Sequence, residues 1–249
     1  MLSKMSKRRS CEDIFRFHFG AVILSLLLFF IPLSQSALDF NAQAAIIPWV
    51  PDSNGSATYF DWQNGGSDKS LFGSPVLVDG DTLHFEPQNF IAESISGTSA
   101  IKSDRLQVDI FAHSGIVILG VEITEVGDYN INTEGKVSAS AGLFLTNLSH
   151  YEVRNAMFDM EPNMPIISPP APQIGDWSGE ISIENLDWTH FRIVLNNNLI
   201  ATSRPGSNSF IKKTDFDIRI ITIPEPATVA VLTIGGLILP LFGRKKKYD

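Results

Sequence analysis

The chain has 249 residues, 44% hydrophobic and 18% charged, with a formal net charge of -8. That is too apolar for a disordered chain. The charge divides as +2 over residues 1–44, -12 over 45–223 and +2 over 224–249, so the bulk of the protein lacks the cationic surface with which a general nucleic-acid binder displaces counterions.

The N-terminus sets Lys4, Lys7, Arg8, Arg9 and Arg16 before an apolar run at 20–33 that only Ser25 and Pro32 interrupt. This is the pattern of a secretory signal peptide, read by the Sec translocon and removed by signal peptidase. Small residues offer two cleavage points, before Ala37 and before Ala45, and residue type favours the second. An uncleaved anchor is the alternative, although the run is short of the roughly 20 residues a comfortable span needs. The only cysteine, Cys11, precedes the apolar run. The exported part is therefore expected to hold no disulfide, no cysteine nucleophile and no thiolate metal site.

Residues 45–75 contain Trp49, Trp62, Gly55, Gly65 and Gly66 and read as a loop-rich lead-in with a strand near 58–62. At 104–112, Leu106, Val108 and Ile110 alternate with polar neighbours, the period of a half-buried strand. A second strand is predicted at 116–123, ending at Glu125 and a Gly127-Asp128 turn, and others at 129–133, 137–148 and 151–158. Five prolines between Pro162 and Pro172 mark either a linker or, preferably, a long crossover loop, because too few residues follow to make a separate domain. Further strands are predicted at 180–186, 191–195 and 199–202, the last two joined by a turn at Asn196, Asn197 and Asn198, residues that tolerate positive φ. Phe216, Ile218 and Ile220 form a closing strand. Many short strands between turn residues, with no convincing amphipathic helix, predict an all-β fold, an antiparallel β-sandwich of the jelly-roll kind spanning 45–223.

The C-terminus carries Pro224, Glu225 and Pro226, an apolar stretch at 227–242, and then Arg244, Lys245, Lys246 and Lys247. The two prolines hold the backbone extended, so a transmembrane helix starts only after Pro226. Sixteen residues of helix reach roughly 24 Å, less than the roughly 30 Å of hydrocarbon, and Gly235, Gly236 and Pro240 weaken it further. The span is marginal. The four basic residues stay cytoplasmic as a retention signal, which leaves Pro224, Glu225 and Pro226 just outside the membrane.

This three-part tail resembles the PEP-CTERM sorting signal of exosortase substrates in Gram-negative bacteria. The resemblance covers residues 224–249. It implies that Pro224, Glu225 and Pro226 are the recognition motif for exosortase, a membrane transpeptidase, and that the tail is a transient membrane anchor. It further implies delivery to the cell surface or an extracellular matrix, often alongside exopolysaccharide.

Chemistry in the body is sparser. Asp79 and Asp81 with Glu86, and Asp215 with Asp217, offer hard oxygen ligands of the kind calcium takes, but neither set matches a complete calcium loop, and no metal or cofactor is expected. Glu122 with Glu125, or Asp159 with Glu161, are candidate acid/base pairs for glycoside hydrolysis. His84, His113, His150 and His190 lack metal-binding spacing, and no nucleophile elbow or phosphate-binding glycine motif is present. Trp49, Trp62, Trp177 and Trp188 can stack on sugar rings, although their apolar area suits a core. The expectation is a non-enzymatic exported protein with structural, adhesive or glycan-contacting roles and no catalytic residue; the alternative is a surface-anchored polysaccharide-active enzyme.

Overall fold

The computed structural model describes residues 45–168 and 171–224. The expected signal peptide, apolar stretch and basic end, together with Glu225 and Pro226, lie outside the described residues. Among the described residues no helix is long and apolar enough to cross a membrane.

The described residues form fifteen strands in order: β1 (Ile47–Pro48), β2 (Gly55–Ser56), β3 (Phe60–Ser67), β4 (Pro75–Asp79), β5 (Thr82–Phe85), β6 (Ile91–Ile95), β7 (Ser99–Ala112), β8 (Ile116–Ile131), β9 (Gly135–Asn147), β10 (Val153–Met157), β11 (Asp159–Glu161), β12 (Ile166–Ser168), β13 (Gln173–Trp188), β14 (His190–Ser203) and β15 (Asn208–Pro224). A first sheet has the order β1-β3-β7-β14-β9-β10, with β2 on β3 and β12 on β9. The second runs β11-β13-β8-β15-β5-β4, with β6 on β15. The pairings among these strands are antiparallel. The protein is thus an all-β, two-sheet antiparallel sandwich.

Alternation builds the core. Leu106, Val108 and Ile110 of β7, Leu143 and Leu145 of β9, and Phe191, Ile193 and Leu195 of β14 face inward from the first sheet; Val121 and Ile123 of β8 and Ile218 and Ile220 of β15 meet them from the second. Each is fully buried, and the period of two that the sequence shows at Leu106, Val108 and Ile110 is the period that puts them there. The proline-rich stretch crosses between the sheets: β10 belongs to the first, β11 to the second, β12 to the first and β13 to the second.

Two predicted turns are continuous strand. Gly127 and Asp128 lie inside β8, paired with Trp177 and Asp176 on one side and with Lys213 and Lys212 on the other. A Cβ on Gly127 would sit 2.0 Å from the Lys212 carbonyl oxygen and 2.5 Å from Trp177 Nε1, so this glycine lets the indole cross the strand and donate its N–H to Lys212 O at 3.0 Å. Asn196, Asn197 and Asn198 lie inside β14, flanked by Arg105, Asp104 and Ser103 of β7 and by Gly142, Ala141 and Ser140 of β9. Ladder bonds on both sides override the local turn preference of asparagine. Asp79 and Asp81 flank a tight turn between β4 and β5, with Gly80 at φ +59°.

β15 carries a bulge between Lys213 and Asp215. Strict alternation would put Lys213, Asp215 and Asp217 on one face. The extra residue, Thr214, breaks the phase: Lys213 and Phe216 both point into the core, while Asp215 and Asp217 point out.

Candidate functional site

The outer face of the first sheet is organised in cross-strand rows. Ser103, Asn198 and Ser140 form one; Arg105, Asn196, Gly142 and Met157 the next; Gln107, Val194, Phe144 and Asn155 a third. Gly142 leaves its row without a side chain between Asn196 and Met157. Above it lies a groove of about 490 Å³, with Phe144 and Met157 on one wall and Asn196, Asn198 and Arg105 on the other.

The rim beyond Arg105 is fixed by Asp104, which points the other way from the same strand. Its carboxylate accepts the backbone N–H of Lys69 at 2.9 Å and of Leu71 at 2.8 Å, holding that segment against β7. Arg105 Nη2 then reaches Asp68 Oδ1 at 3.0 Å, and Lys69 Nζ donates to Ser103 O at 2.8 Å. The side-chain amides of Asn196 and Asn198 have no hydrogen-bond partner among the described residues. Each offers a donor and an acceptor to whatever enters the groove. Phe144 is 37% exposed and Met157 69%, large apolar surfaces left open beside those amides.

Farther along the face, Arg192 grips Asp109 with two bonds, Nε to Oδ1 at 2.6 Å and Nη2 to Oδ2 at 2.9 Å, and Asn64 Nδ2 donates to the same Oδ2 at 2.9 Å. Burial alone would raise the Asp109 carboxyl, but these three donors hold it below the usual carboxylate range. His190 stacks on Phe111 with ring centroids 4.0 Å apart.

The four tryptophans are not on this face. Trp49, Trp62, Trp177 and Trp188 are all buried: Trp49 packs on Phe85, Trp188 on Phe191, and Trp62 Nε1 donates to Asp52 O. A sugar-stacking role for them is overturned by their burial. Of the two proposed carboxylate pairs, Glu122 and Glu125 do not converge. Glu122 and Glu125 stand three residues apart on one strand and so face opposite sides; Glu122 meets Arg219 outside and Glu125 meets Lys213 inside. Asp159 and Glu161 do share a side: two residues apart on the edge strand β11, both are exposed and line one pocket with Glu180.

The structure does gather part of the suspected acidic ligand set, on the outer face of the second sheet. Asp217 lies directly across from His84, and His84 Nδ1 is 2.6 Å from Asp217 Oδ1 and 3.3 Å from Asp215 Oδ1, with Nε2 3.9 Å from Glu86. The ligand atoms of His84, Asp215 and Asp217 lie within 4.8 Å of one another, a nitrogen and oxygen donor set suited to a divalent ion. The hydrogen bond to Asp217, opposed by burial and helped by the charges of Asp215 and Glu86, holds the His84 imidazole above its ordinary value. Asp81 turns away to Arg219, at 3.5 Å. His113 bonds Asp61 at 3.0 Å.

The sequence alone does not mark Phe144 or the outward pair Asn196 and Asn198 as a site. The available signal was the alternation at 191–195, which continues through the asparagines and assigns Asn196 and Asn198 to the face opposite Phe191.

No protein-family model matches the chain, and no curated protein matches it in sequence. Among solved structures, it is similar to TmCBM61 in complex with beta-1,4-galactotriose, at 12% identity over 66% of this chain and 88% of that one, with a TM-score of 0.20. It is also similar to the CBM22-1 xylan-binding domain from Paenibacillus barcinonensis Xyn10C, at 9% identity over 53% and 92%, with a TM-score of 0.19.

Proposed function

We propose that this protein is an exported β-sandwich that contacts glycan through the outer face of its first sheet, without acting on it as an enzyme. The observation that carries the reading is the groove over Gly142, where an exposed ring and thioether stand opposite two unpartnered amides. A pyranose presents an apolar face and a rim of hydroxyls. Phe144 suits the first, and Asn196 and Asn198 suit the second, since an amide can donate to one hydroxyl while accepting from its neighbour.

The test is affinity electrophoresis of the detergent-solubilised full chain through gels containing soluble polysaccharides, galactan and xylan included. Wild type is retarded by at least one, and Phe144→Ala weakens that retardation about tenfold. Equal retardation of the variant, or release of reducing ends from the polysaccharide, would overturn the reading.

Delivery belongs to the same proposal. Export at the N-terminus and exosortase-type processing at Pro224, Glu225 and Pro226, with Arg244, Lys245, Lys246 and Lys247 retained on the cytoplasmic side, would place the sandwich at the envelope or in a matrix where exopolysaccharide is at hand. Support comes from the order of the tail and from its junction with the fold: β15 is paired as far as Pro224, opposite Ile116, so the first residue of the motif is itself part of the sheet. In a host with the sorting enzyme, replacing Pro224, Glu225 and Pro226 by alanine is expected to leave an uncleaved membrane-bound form. Release equal to wild type would remove the sorting half of the proposal.

A further inference from the structure

The interior of the sandwich holds a polar cluster that glycan contact does not use. Glu125 of β8, Lys213 of β15 and Asn197 of β14 all point into the core and are all buried, and together they bridge the two sheets. Lys213 Nζ lies 2.6 Å from Glu125 Oε1, and both side chains are wholly excluded from solvent. Asn197 Nδ2 donates to the same Glu125 oxygen. Around them is a ring of aromatic side chains: Phe72, Phe90 and Phe216 stand with centroids 4.9, 5.2 and 5.2 Å from Lys213 Nζ.

This is an unusual way to fill a core. A buried ion pair has a desolvation cost that its mutual attraction offsets only when the remaining lone pairs and protons are satisfied. Here they are not. Among the described residues Glu125 Oε2 and Asn197 Oδ1 have no hydrogen-bond partner, and Lys213 Nζ, although beside Glu125 Oε1, makes no well-aligned hydrogen bond. Burial pulls the Lys213 ammonium down to about 8, with the charges of Glu125 and Asp104 acting in the opposite direction. A dry aromatic site thus holds an amine close to losing its proton, a carboxylate in contact with both that amine and an amide, and an amide whose oxygen has no partner.

We infer that Lys213 and Asn197 join in an intramolecular isopeptide bond, with Glu125 as the proton-transfer group. The ammonium of Lys213 passes a proton to Glu125, leaving a neutral amine beside a neutral carboxylic acid, the form that a low-dielectric site favours over two charges. The Nζ lone pair attacks Asn197 Cγ, and the carbonyl π pair moves onto Oδ1. Glu125 relays a proton from Nζ to Nδ2, the Cγ–Nδ2 bond breaks with its electron pair leaving on nitrogen, and ammonia departs. The ammonia carries off the remaining proton as ammonium, and Glu125 is again a carboxylate. No oxidant, metal or second substrate is needed. Each chain reacts once with itself, so the step is a maturation of the fold and not turnover.

The bond would tie β15, the strand that runs into the C-terminal tail, to β14 of the opposite sheet, closing a loop over residues 198–212. A body without cysteine has no disulfide to do this. Asp104 is not the partner carboxyl: its oxygens are held by the backbone N–H groups of Lys69 and Leu71.

Tandem mass spectrometry of the proteolysed full chain, purified in detergent, tests the inference. Wild type is expected to give one branched peptide joining the segments that contain Asn197 and Lys213, lighter than their sum by one ammonia. Glu125→Gln, which keeps the size and an amide oxygen, is expected to give the two linear peptides instead. Asn197→Asp is expected to give a branched peptide identical in mass to that of wild type, because loss of water from the acid leaves the same amide. The linked protein should also melt roughly 10 °C above Glu125→Gln. Wild type that yields only linear peptides overturns the inference whether or not any variant folds.

Discussion

The two sides of β14 use the same residue type for opposite ends. Asn196 and Asn198 face out, across from Gly142 and Ser140, and their amides have no partner among the described residues; Asn197, between them, faces in and meets Glu125. The neighbouring strand repeats the division, with Arg105 outside on the rim of the groove and Asp104 inside, clamping the segment that carries Phe72. Only the thickness of a backbone separates a wet groove from a dry cluster. On the wet side an unpaired amide costs little, because water serves it until a ligand arrives. On the dry side the same group has no such recourse, so its chemistry can be directed only at the chain itself.

The largest effect expected from breaking this division is on the inner side. Lys213→Met leaves Glu125 buried without its countercharge, and equilibrium denaturation should show a loss of about 3–5 kcal/mol, while retardation by polysaccharide at a temperature where the variant is still folded should be unchanged. Loss of both together would mean that the groove and the cluster are not separate devices. The next effect is on the outer side. Asn196→Ala combined with Asn198→Ala should weaken glycan contact by about 0.5–1.5 kcal/mol per amide and leave stability within about 0.5 kcal/mol of wild type. A stability loss as large as that of Lys213→Met would show that these amides serve the fold instead.

Why the sandwich was legible and its devices were not follows from the same strand. Alternation at Leu106, Val108 and Ile110, and at Phe216, Ile218 and Ile220, is a local pattern, and it correctly announced antiparallel sheets. Isolated propensity favours a turn at the asparagine triplet; what keeps it extended is pairing to β7 and β9, residues distant in sequence. Gly127 resembles a turn glycine for the same reason, since the indole that requires it, Trp177, arrives from another strand. The cluster was hidden behind a phase change. Nothing in the spacing of Lys213, Asp215 and Asp217 reveals that Thr214 is bulged, so the lysine that enters the core looks like one more surface charge in an alternating acidic strand. The exposed Phe144 carried no mark either, because one phenylalanine among 17 is distinguished only by the absence of a side chain at Gly142 beside it.

The smallest expected effect lies on the second sheet, where the bulge sends Asp215 and Asp217 outward to His84. This outer face contrasts with the groove in that its polar groups are already paired with one another. The His84 imidazole is held above its ordinary value chiefly by the hydrogen bond to Asp217, against burial and with help from Asp215 and Glu86. A group whose proton is held more tightly in the folded state adds stability that is fully present below its unfolded value, about 6.5, and that is lost as pH rises through the folded value. Stability should therefore decline from about pH 6.5 upward, and His84→Gln should flatten that decline. The amplitude is on the order of 0.5 kcal/mol, because His84, Asp215 and Asp217 are 26%, 40% and 39% exposed and water screens them. A variant that keeps the wild-type slope, measured by urea midpoints between pH 6 and 8, would show that the histidine is not what this face is built around. A slope several times steeper would show that the cluster is far less open to water than its exposure indicates.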